Sequence, residues 1–194
     1  SETPFLSSGI GGILHIASSY SRRFEEVILQ VPKGRSLKGI NVSANRGQTT
    51  IINASLENAT LNTNGYLLRI EGSRIKNSKF KTPNIINIFD TDLTDSQLES
   101  TKNHFYVDNI KVYGKVELTS KNELSITLTQ KESQEINLDL SSHYGPIYQL
   151  SRDESQRHPN ELSNPYKTEK TDVKGQLIAR AEDYISLETT ANKP

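Results

Sequence analysis

The chain has 194 residues, of which only 33% are hydrophobic, and its 23 Lys and Arg cancel its 23 Asp and Glu. Any core must therefore be thin, or part of the chain must lie outside it, and no global charge draws the protein to nucleic acid or to an anionic membrane. Cys, Met and Trp are absent, which excludes disulfides, thiolate metal sites, a cysteine nucleophile and an indole-centred core.

The first 34 residues read as an N-terminal cap. The apolar stretch at residues 10–17 is broken by Gly11, Gly12 and His15, far short of the roughly 20 residues that span a bilayer. It also lacks the basic flank of a signal peptide. From Ser1 and the absence of Met the expectation is a processed or excised product, or one whose initiator Met was removed. Gly9, Gly11 and Gly12 precede Leu14 where a dinucleotide fingerprint would place its last glycine, so a flexible or capping segment is expected. Residues 10–20 are predicted as a short helical cap, and residues 24–31 as a strand that ends at the turn Pro32-Lys33-Gly34.

Residues 35–116 carry a repeat. Large apolar residues recur in steps of five, five and then eight or nine, so that Leu37, Leu56, Ile75, Leu93 and Val112 are separated by 19, 19, 18 and 19 residues. Two residues before these and the other large apolar positions stand small side chains: Thr49, Ala54, Ala59, Ser73, Ser78, Thr91 and Ser96. Two residues after them stand turn formers: Gly39, Asn53, Asn58, Gly72, Asn77, Asp90, Asp95, Ser100, Asn109 and Gly114. Asn, Asp and Gly tolerate positive φ and belong where a chain bends between short extended edges. Residues i−2 and i of a strand share a face, so the small and the large residue both point inward. The pattern predicts a four-sided parallel β-solenoid stacked at about 4.8 Å. Its fourth side, at Gly47, Tyr66, Ile85 and Asn103, is one or two residues short, which is where a groove or loop would vary.

The blocks Thr49-Thr50-Ile51-Ile52-Asn53, Ala54-Ser55-Leu56-Glu57-Asn58 and Ala59-Thr60-Leu61-Asn62-Thr63 resemble the pentapeptide-repeat family, and residues 73–82 and 91–100 continue the pattern. The resemblance implies a degenerate, right-handed β-helix. It is similar to the β-helix domains that stand beside catalytic domains in some secreted bacterial effectors, including HECT-like ubiquitin ligases.

Beyond Val112 the pattern turns to plain alternation. Leu124, Ile126 and Leu128, then Ile136, Leu138 and Leu140, predict a C-terminal hairpin cap over residues 117–150. Residues 151–171 hold only Leu162 and Tyr166 as large apolar side chains, with Pro159 and Pro165 among them, and read as a mobile linker. Val173, Leu177, Ile178, Ala181 and Ile185 fall at helical spacing, predicting an amphipathic helix over residues 172–187, with the tail to 194 completing the chain.

The chemistry-bearing residues are sparse. His15, His104, His143 and His158 show no metal-ligand spacing, no phosphate loop or nucleophile elbow is present, and no cofactor is expected. Asp90, Asp92 and Asp95 would be the carboxylates of a carbohydrate-active cleft, but Asp90 and Asp95 stand at corners that favour Asp for turn chemistry alone. Phe80 and Phe105 are placed in the core. The matches to the glycosylation pattern at Asn41, Asn53 and Asn58 follow from the density of Asn and Ser/Thr at corners. The most distinctive exposed feature is Arg69, Arg74, Lys76, Lys79 and Lys81, five basic residues beside the single Glu71. They are predicted to flank inward Ile75 and Phe80 and to form a patch for an acidic partner. The expectation is a non-catalytic protein-interaction or scaffold domain of a larger protein, secreted or delivered into a host cell and otherwise cytoplasmic, whose partner is another protein or a neighbouring domain, with no nucleic acid and no membrane span. The alternatives are a carbohydrate-active or carbohydrate-binding β-helix and a nucleic-acid-mimic solenoid.

Overall fold

In the computed structural model, residues 48–63, 66–151 and 159–191 are described, preceded by five N-terminal strand segments. Those segments are β1 (Phe5–Ser7), β2 (His15–Ala17), β3 (Glu26–Gln30), β4 (Leu37–Lys38) and β5 (Asn41–Ala44). They are followed by β6 (Gln48–Ile52), β7 (Ser55–Glu57), β8 (Thr60–Thr63), β9 (Leu67–Glu71), β10 (Arg74–Lys76), β11 (Lys79–Thr82), β12 (Ile85–Thr94) and β13 (Gln97–Ser100). The long β14 (Phe105–Ser120) leads to β15 (Leu124–Thr129), a six-residue helix α1 (Gln130–Glu135), β16 (Ile136–Ser142) and β17 (Ile147–Ser151). Last come β18 (Asn160–Leu162), β19 (Tyr166–Lys167), β20 (Gly175–Ala181) and β21 (Ile185–Thr190).

These strands build a parallel β-solenoid from three ladders. Ladder A stacks β1, β3, β6, β9, the first half of β12, the start of β14 and then β15. In ladder B, Leu37 pairs with Leu56, Leu56 with Ile75, Ile75 with Leu93 and Leu93 with Val112, the residues that carry the repeat in the sequence. Ladder C runs through β2, β5, β8, β11, β13 and the end of β14.

The inward columns form the core. Ile51, Leu56, Leu61, Ile70, Ile75, Phe80, Ile88, Leu93, Leu98, Phe105 and Val112 are all buried, and so are the small residues Thr49, Ala54, Ala59, Ser73, Ser78, Thr91 and Ser96. Their hydroxyls answer a problem that each corner creates. Bending the backbone turns an N–H inward, away from the ladder. Ala54 N–H and Ala59 N–H donate to Ser73 Oγ and Ser78 Oγ of the next coil at 3.2 and 3.0 Å, while those hydroxyls donate to Glu71 O and Lys76 O. Thr91 and Ser96 repeat the arrangement one coil on. A buried donor left unpaired would cost about 1–3 kcal/mol, which is why Ser and Thr belong inside this core.

The corners adopt the conformation their residue types favour. Asn53, Asn58, Gly72, Asn77, Asp90, Asp95, Asn109 and Gly114 all have φ between +47° and +63°. Asn77 Nδ2 donates to Asn58 Oδ1 at 2.6 Å, and Asn109 Nδ2 to Asp90 Oδ1 at 2.7 Å. Lys115 N–H donates to Asp95 Oδ1 at 3.0 Å. Asp90 and Asp95 are thus spent on two different corners, and Asp92 lies 3.9 Å from Arg74; the three do not form one acidic cleft.

Both ends differ from the expectation. At the N-terminus, His15–Ala17 is a strand and not part of a helix, and Glu26–Gln30 sits inside ladder A between β1 and β6; strand pairing therefore reaches to Phe5, and the rest of the predicted helical cap lies outside the described residues. Extended backbone satisfies the ladder edge that a helix would leave open.

At the C-terminus, no helix spans residues 172–187. Gly175, Leu177, Ala179, Ala181, Ile185 and Leu187 are buried in period-two alternation on β20 and β21. β15 and β16 do not pair as a hairpin, because β20 and β21 lie between the coils to which they belong. β20 is parallel to β14 on one side and to β16 on the other, and β21 is parallel to β15 and to β17. The last coil in sequence is the next to last in space.

The predicted mobile linker is, from residue 159 onward, a strap on the outermost coil. β18 and β19 pair antiparallel with β17 and β16. Thr168 Oγ1 accepts from Leu138 N–H at 2.8 Å, Asn164 Oδ1 accepts from Ser142 N–H at 3.1 Å, and Lys170 N–H donates to Asn137 Oδ1 at 2.7 Å. A polar segment suits this place, because it covers an exposed strand edge while facing water.

α1 bridges the two coils on the ladder B side. Thr129 caps it, accepting from Glu132 N–H at 3.1 Å. Glu132 is the one buried ionisable side chain among the described residues. Its Oε1 accepts from Val112 N–H at 2.7 Å and so terminates ladder B, and its Oε2 lies 2.6 Å from Lys174 Nζ. Desolvation pulls the Lys174 ammonium down, but hydrogen bonds to Glu132 and Glu135 and their charges outweigh it and raise its pKa.

Candidate functional site

Between the end of ladder C and the start of ladder A the chain runs through short, strand-free connections: residues 101–104, 121–123, 182–184 and 143–146, in spatial order. They stack by backbone bonds such as Asn122 N–H to Asn103 O (3.3 Å), Asp183 N–H to Asn122 O (3.2 Å) and Tyr144 N–H to Glu182 O (2.8 Å). Here the intercalated coil and its two neighbours bring together residues far apart in sequence.

A groove of about 420 Å³ opens at the ladder C border of this side, lined by Glu99, Thr101, Thr119, Lys121, His143 and Arg180 together with the hydroxyl column Ser100, Ser120 and Ser142. The hydroxyls already donate inward: Ser100 to Asn84 O, Ser120 to Asn103 O and Glu123 O, Ser142 to Gly145 O. The charges are largely matched. Lys121 Nζ lies 2.6 Å from Glu182, and that hydrogen bond raises its pKa. Arg180 Nη1 lies 3.1 Å from Asp139 Oδ1 while its N–H donates to Asp139 O and Ala179 O; the guanidinium holds the Asp139 carboxyl below the usual range.

At the ladder A border, Glu123 gathers a second cluster. Tyr106 OH donates to its Oε1 at 2.7 Å, Tyr184 OH donates to its Oε2, and His104 Nδ1 lies 3.1 Å from Oε1 without the alignment of a hydrogen bond. Partial desolvation of its hydroxyl first, and then the hydrogen bond to the Glu123 carboxylate, push the Tyr106 phenol up to about 12. Tyr148 packs edge-on against Tyr184 at 6.2 Å. The three exposed large hydrophobic side chains among the described residues are all tyrosines, Tyr66, Tyr106 and Tyr144, and all lie on or beside this side.

A smaller depression of about 270 Å³ lies on the outer face of ladder C and shares Glu99 and Thr119 with the groove. It is lined by Lys79, Lys81, Gln97 and Glu117 as well. Outward side chains stand here in rows that cross the coils, Lys79–Gln97–Glu117–Ile178 and Lys81–Glu99–Thr119–Arg180.

The five basic residues singled out in the sequence are thereby placed. Arg74, Lys76, Lys79 and Lys81 are exposed and flank buried Ile75 and Phe80. Arg69 is engaged, 3.0 Å from Glu71 and 4.9 Å above the Phe89 ring, and Arg74 reaches Asp92. Lys76, Lys79 and Lys81 form no ion pair among the described residues. The five are spread over three sides of the solenoid: Arg69 lies on ladder A, Arg74 and Lys76 on ladder B, and Lys79 and Lys81 on ladder C, where they line the smaller depression. The sequence placed a groove or loop on this short side but not the Glu123 cluster or the residues that line the groove, because these meet only through the intercalated coil.

No group of three or more His, Asp or Glu able to hold a metal occurs among the described residues, and no helix among them is long and apolar enough to cross a membrane. The chain matches the family described as Toastrack DUF4097 over residues 1–188, and it belongs to that family of β-solenoid-like fold. Neither a curated protein nor a solved structure matches it.

Proposed function

We propose that this chain is a non-catalytic binding module, in which a right-handed, four-sided solenoid of about 19 residues per coil acts as a rigid frame for a protein partner. The carrying observation is the continuity of the two depressions through Glu99 and Thr119, with unpaired Lys79 and Lys81 at one end. An extended segment of the partner would lie across the coils, its acidic residues toward Lys79 and Lys81 and its polar groups in the groove. Backbone ladders fix the spacing of the outward rows, so little ordering entropy is lost on binding. The corner chemistry that resembles pentapeptide repeats supports the coil geometry within this reading.

The test is site-specific photocrosslinking in the native host, with the crosslinker at Thr119 and, as control, at Lys111 on ladder B. A discrete crosslinked protein is expected from Thr119, falling several-fold with Lys79→Glu/Lys81→Glu. Equal yield from Lys111, or indifference to the charge reversal, would sink the reading.

A second reading, carbohydrate binding, draws on the exposed Tyr66, Tyr106 and Tyr144, whose ring faces suit sugar stacking. A glycan array separates the two: retained glycans that are lost with Tyr106→Ala/Tyr144→Ala favour this reading, and an empty array rejects it.

A further inference from the structure

The intercalated coil has the geometry of a wedge in a clamshell. One jaw is the coil ending in β14 and β15, the other is β16 and β17, and α1 joins them on the ladder B side, where the wedge has no strand. Among the described residues, α1 is the one segment that links the jaws along the chain. The wedge begins beneath the helix: Gly114 N–H donates to Lys174 O at 3.1 Å, Lys174 N–H to Glu135 O at 3.0 Å, and the Lys174 ammonium meets Glu132 and Glu135. Leu177, Ala179, Ile185 and Leu187 fill the interior between the jaws.

Three observations concern how this wedge is attached. Its strand pairing is entirely with the jaws, and nothing in it requires that wedge and jaws belong to one chain. The strap that precedes it is held separately, on the far edge of β16, by β19, Thr168 and Lys170. Only residues 171–173 therefore carry the chain over β16 from its outer edge to its inner one, where Lys174 is already bonded beneath α1, and Asp172 sits there with φ +55°. A short hinge is the arrangement that favours exchange, and extending it also removes the small residual cost that Asp172 carries at positive φ.

We propose that residues 175–190 are an exchangeable wedge, and that a second copy of this chain supplies them, giving a dimer in which each solenoid holds the other's C-terminal coil. The contacts of the closed monomer are reproduced in the dimer, so concentration and the hinge decide between them. Such a dimer would present two binding faces at a fixed separation.

The chain lacks Cys, so an introduced pair reports without interference. Ser125 Oγ and Ser186 Oγ lie 3.5 Å apart in paired register on β15 and β21. In the full chain carrying Ser125→Cys/Ser186→Cys, a disulfide forms when a wedge is seated. After unfolding and refolding at low and high protein concentration, oxidation should give monomers with an internal disulfide at low concentration. At high concentration it should give an increasing fraction of disulfide-linked dimers of twice the mass. Asp172→Pro, which cannot adopt positive φ, should raise the dimer fraction several-fold, and Asp172→Gly, which adopts it freely, should lower it. Internal disulfides alone at every concentration, dimers that carry only internal disulfides, or hinge variants with no effect would each overturn the exchange. Absence of any disulfide would overturn the seated register itself.

Discussion

The coils up to Ser120 and those after it are built from the same ladders by opposite routes. In the first region, spatial order follows chain order and a ladder partner lies 18 to 26 residues away, 18 or 19 in the middle coils. In the second, Leu124 pairs with Ile185 and Ile185 with Ile147. Closing a loop about three times longer costs about 1 kcal/mol more per closure, which the wedge offsets by burying Leu177, Ala179, Ile185 and Leu187 between two coils at once. Local coils can therefore form independently of the wedge, whereas the outermost coil depends on a segment made after it.

The sharpest way to break this comparison is to weaken one interior residue in each region. Leu56→Ala and Leu177→Ala each remove a fully buried side chain and should each cost about 2–5 kcal/mol in denaturant unfolding. Hydrogen exchange should separate them. Leu177→Ala should lower protection in β16, β17, β20 and β21 together while β7 and β10 stay protected; protection retained in β16 would show that the outer coil stands without the wedge.

Next in size is the lock beneath α1. Glu132→Ala leaves Val112 N–H and the Lys174 ammonium short of a buried acceptor, and should cost about 3 kcal/mol, at the lower end for a broken buried pair because Glu135 still faces Lys174. Glu132→Gln keeps an acceptor for Val112 N–H, so its loss should be smaller. Equal losses for the two variants would mean that the ion pair, and not the end of ladder B, is what Glu132 stabilises.

The difference between the regions also explains what could be read in advance. Leu37, Leu56, Ile75, Leu93 and Val112 repeat because each coil meets the next directly, and Asn and Asp mark corners because only such residues take positive φ at low cost. The wedge sends no comparable signal. Its inward positions include Gly175, Ala179 and Ala181, too small to show an alternating pattern, and outward Ile178 mimics helical spacing. The strands at Leu124 and Ile136 were legible, but their separation by another coil was not, since a slot leaves no mark on the residues beside it. Thr129 with Glu132 three residues later did carry a helix-start signature for α1. The Glu123 cluster and the groove join residues from β14, the wedge and the outer coil, so neither has a local motif.

Gly114 tests the corners that were legible. Its φ is +63°, and an added Cβ would stand 2.0 Å from Asp95 Oδ1, displacing the carboxylate from Lys115 N–H. Gly114→Ala should cost about 1–3 kcal/mol through backbone strain and the lost contact. An asparagine tolerates the conformation but still carries the clashing Cβ, so Gly114→Asn separates the two causes: a loss as large as that of alanine assigns the cost to the clash.

The smallest expected effect is on acid sensitivity. Asp139, beside Arg180 in the wedge region, and Glu71, bonded to Arg69 among the earlier coils, both have lowered pKa values in the folded protein. A depressed carboxyl stabilises the fold above its unfolded pKa, and that contribution is lost as pH falls through the folded value. Asp139 is the more enclosed, with 13% of its side chain exposed against 36% for Glu71, so solvent screens its pair less. Stability followed by denaturant midpoint from neutral pH to below the ordinary aspartate range should therefore flatten more with Asp139→Asn than with Glu71→Gln. The order of the two slopes is the measurement: a steeper dependence on Glu71 would place the acid-sensitive contact in the sequentially stacked coils and make the Arg180–Asp139 pair a minor part of what holds the wedge.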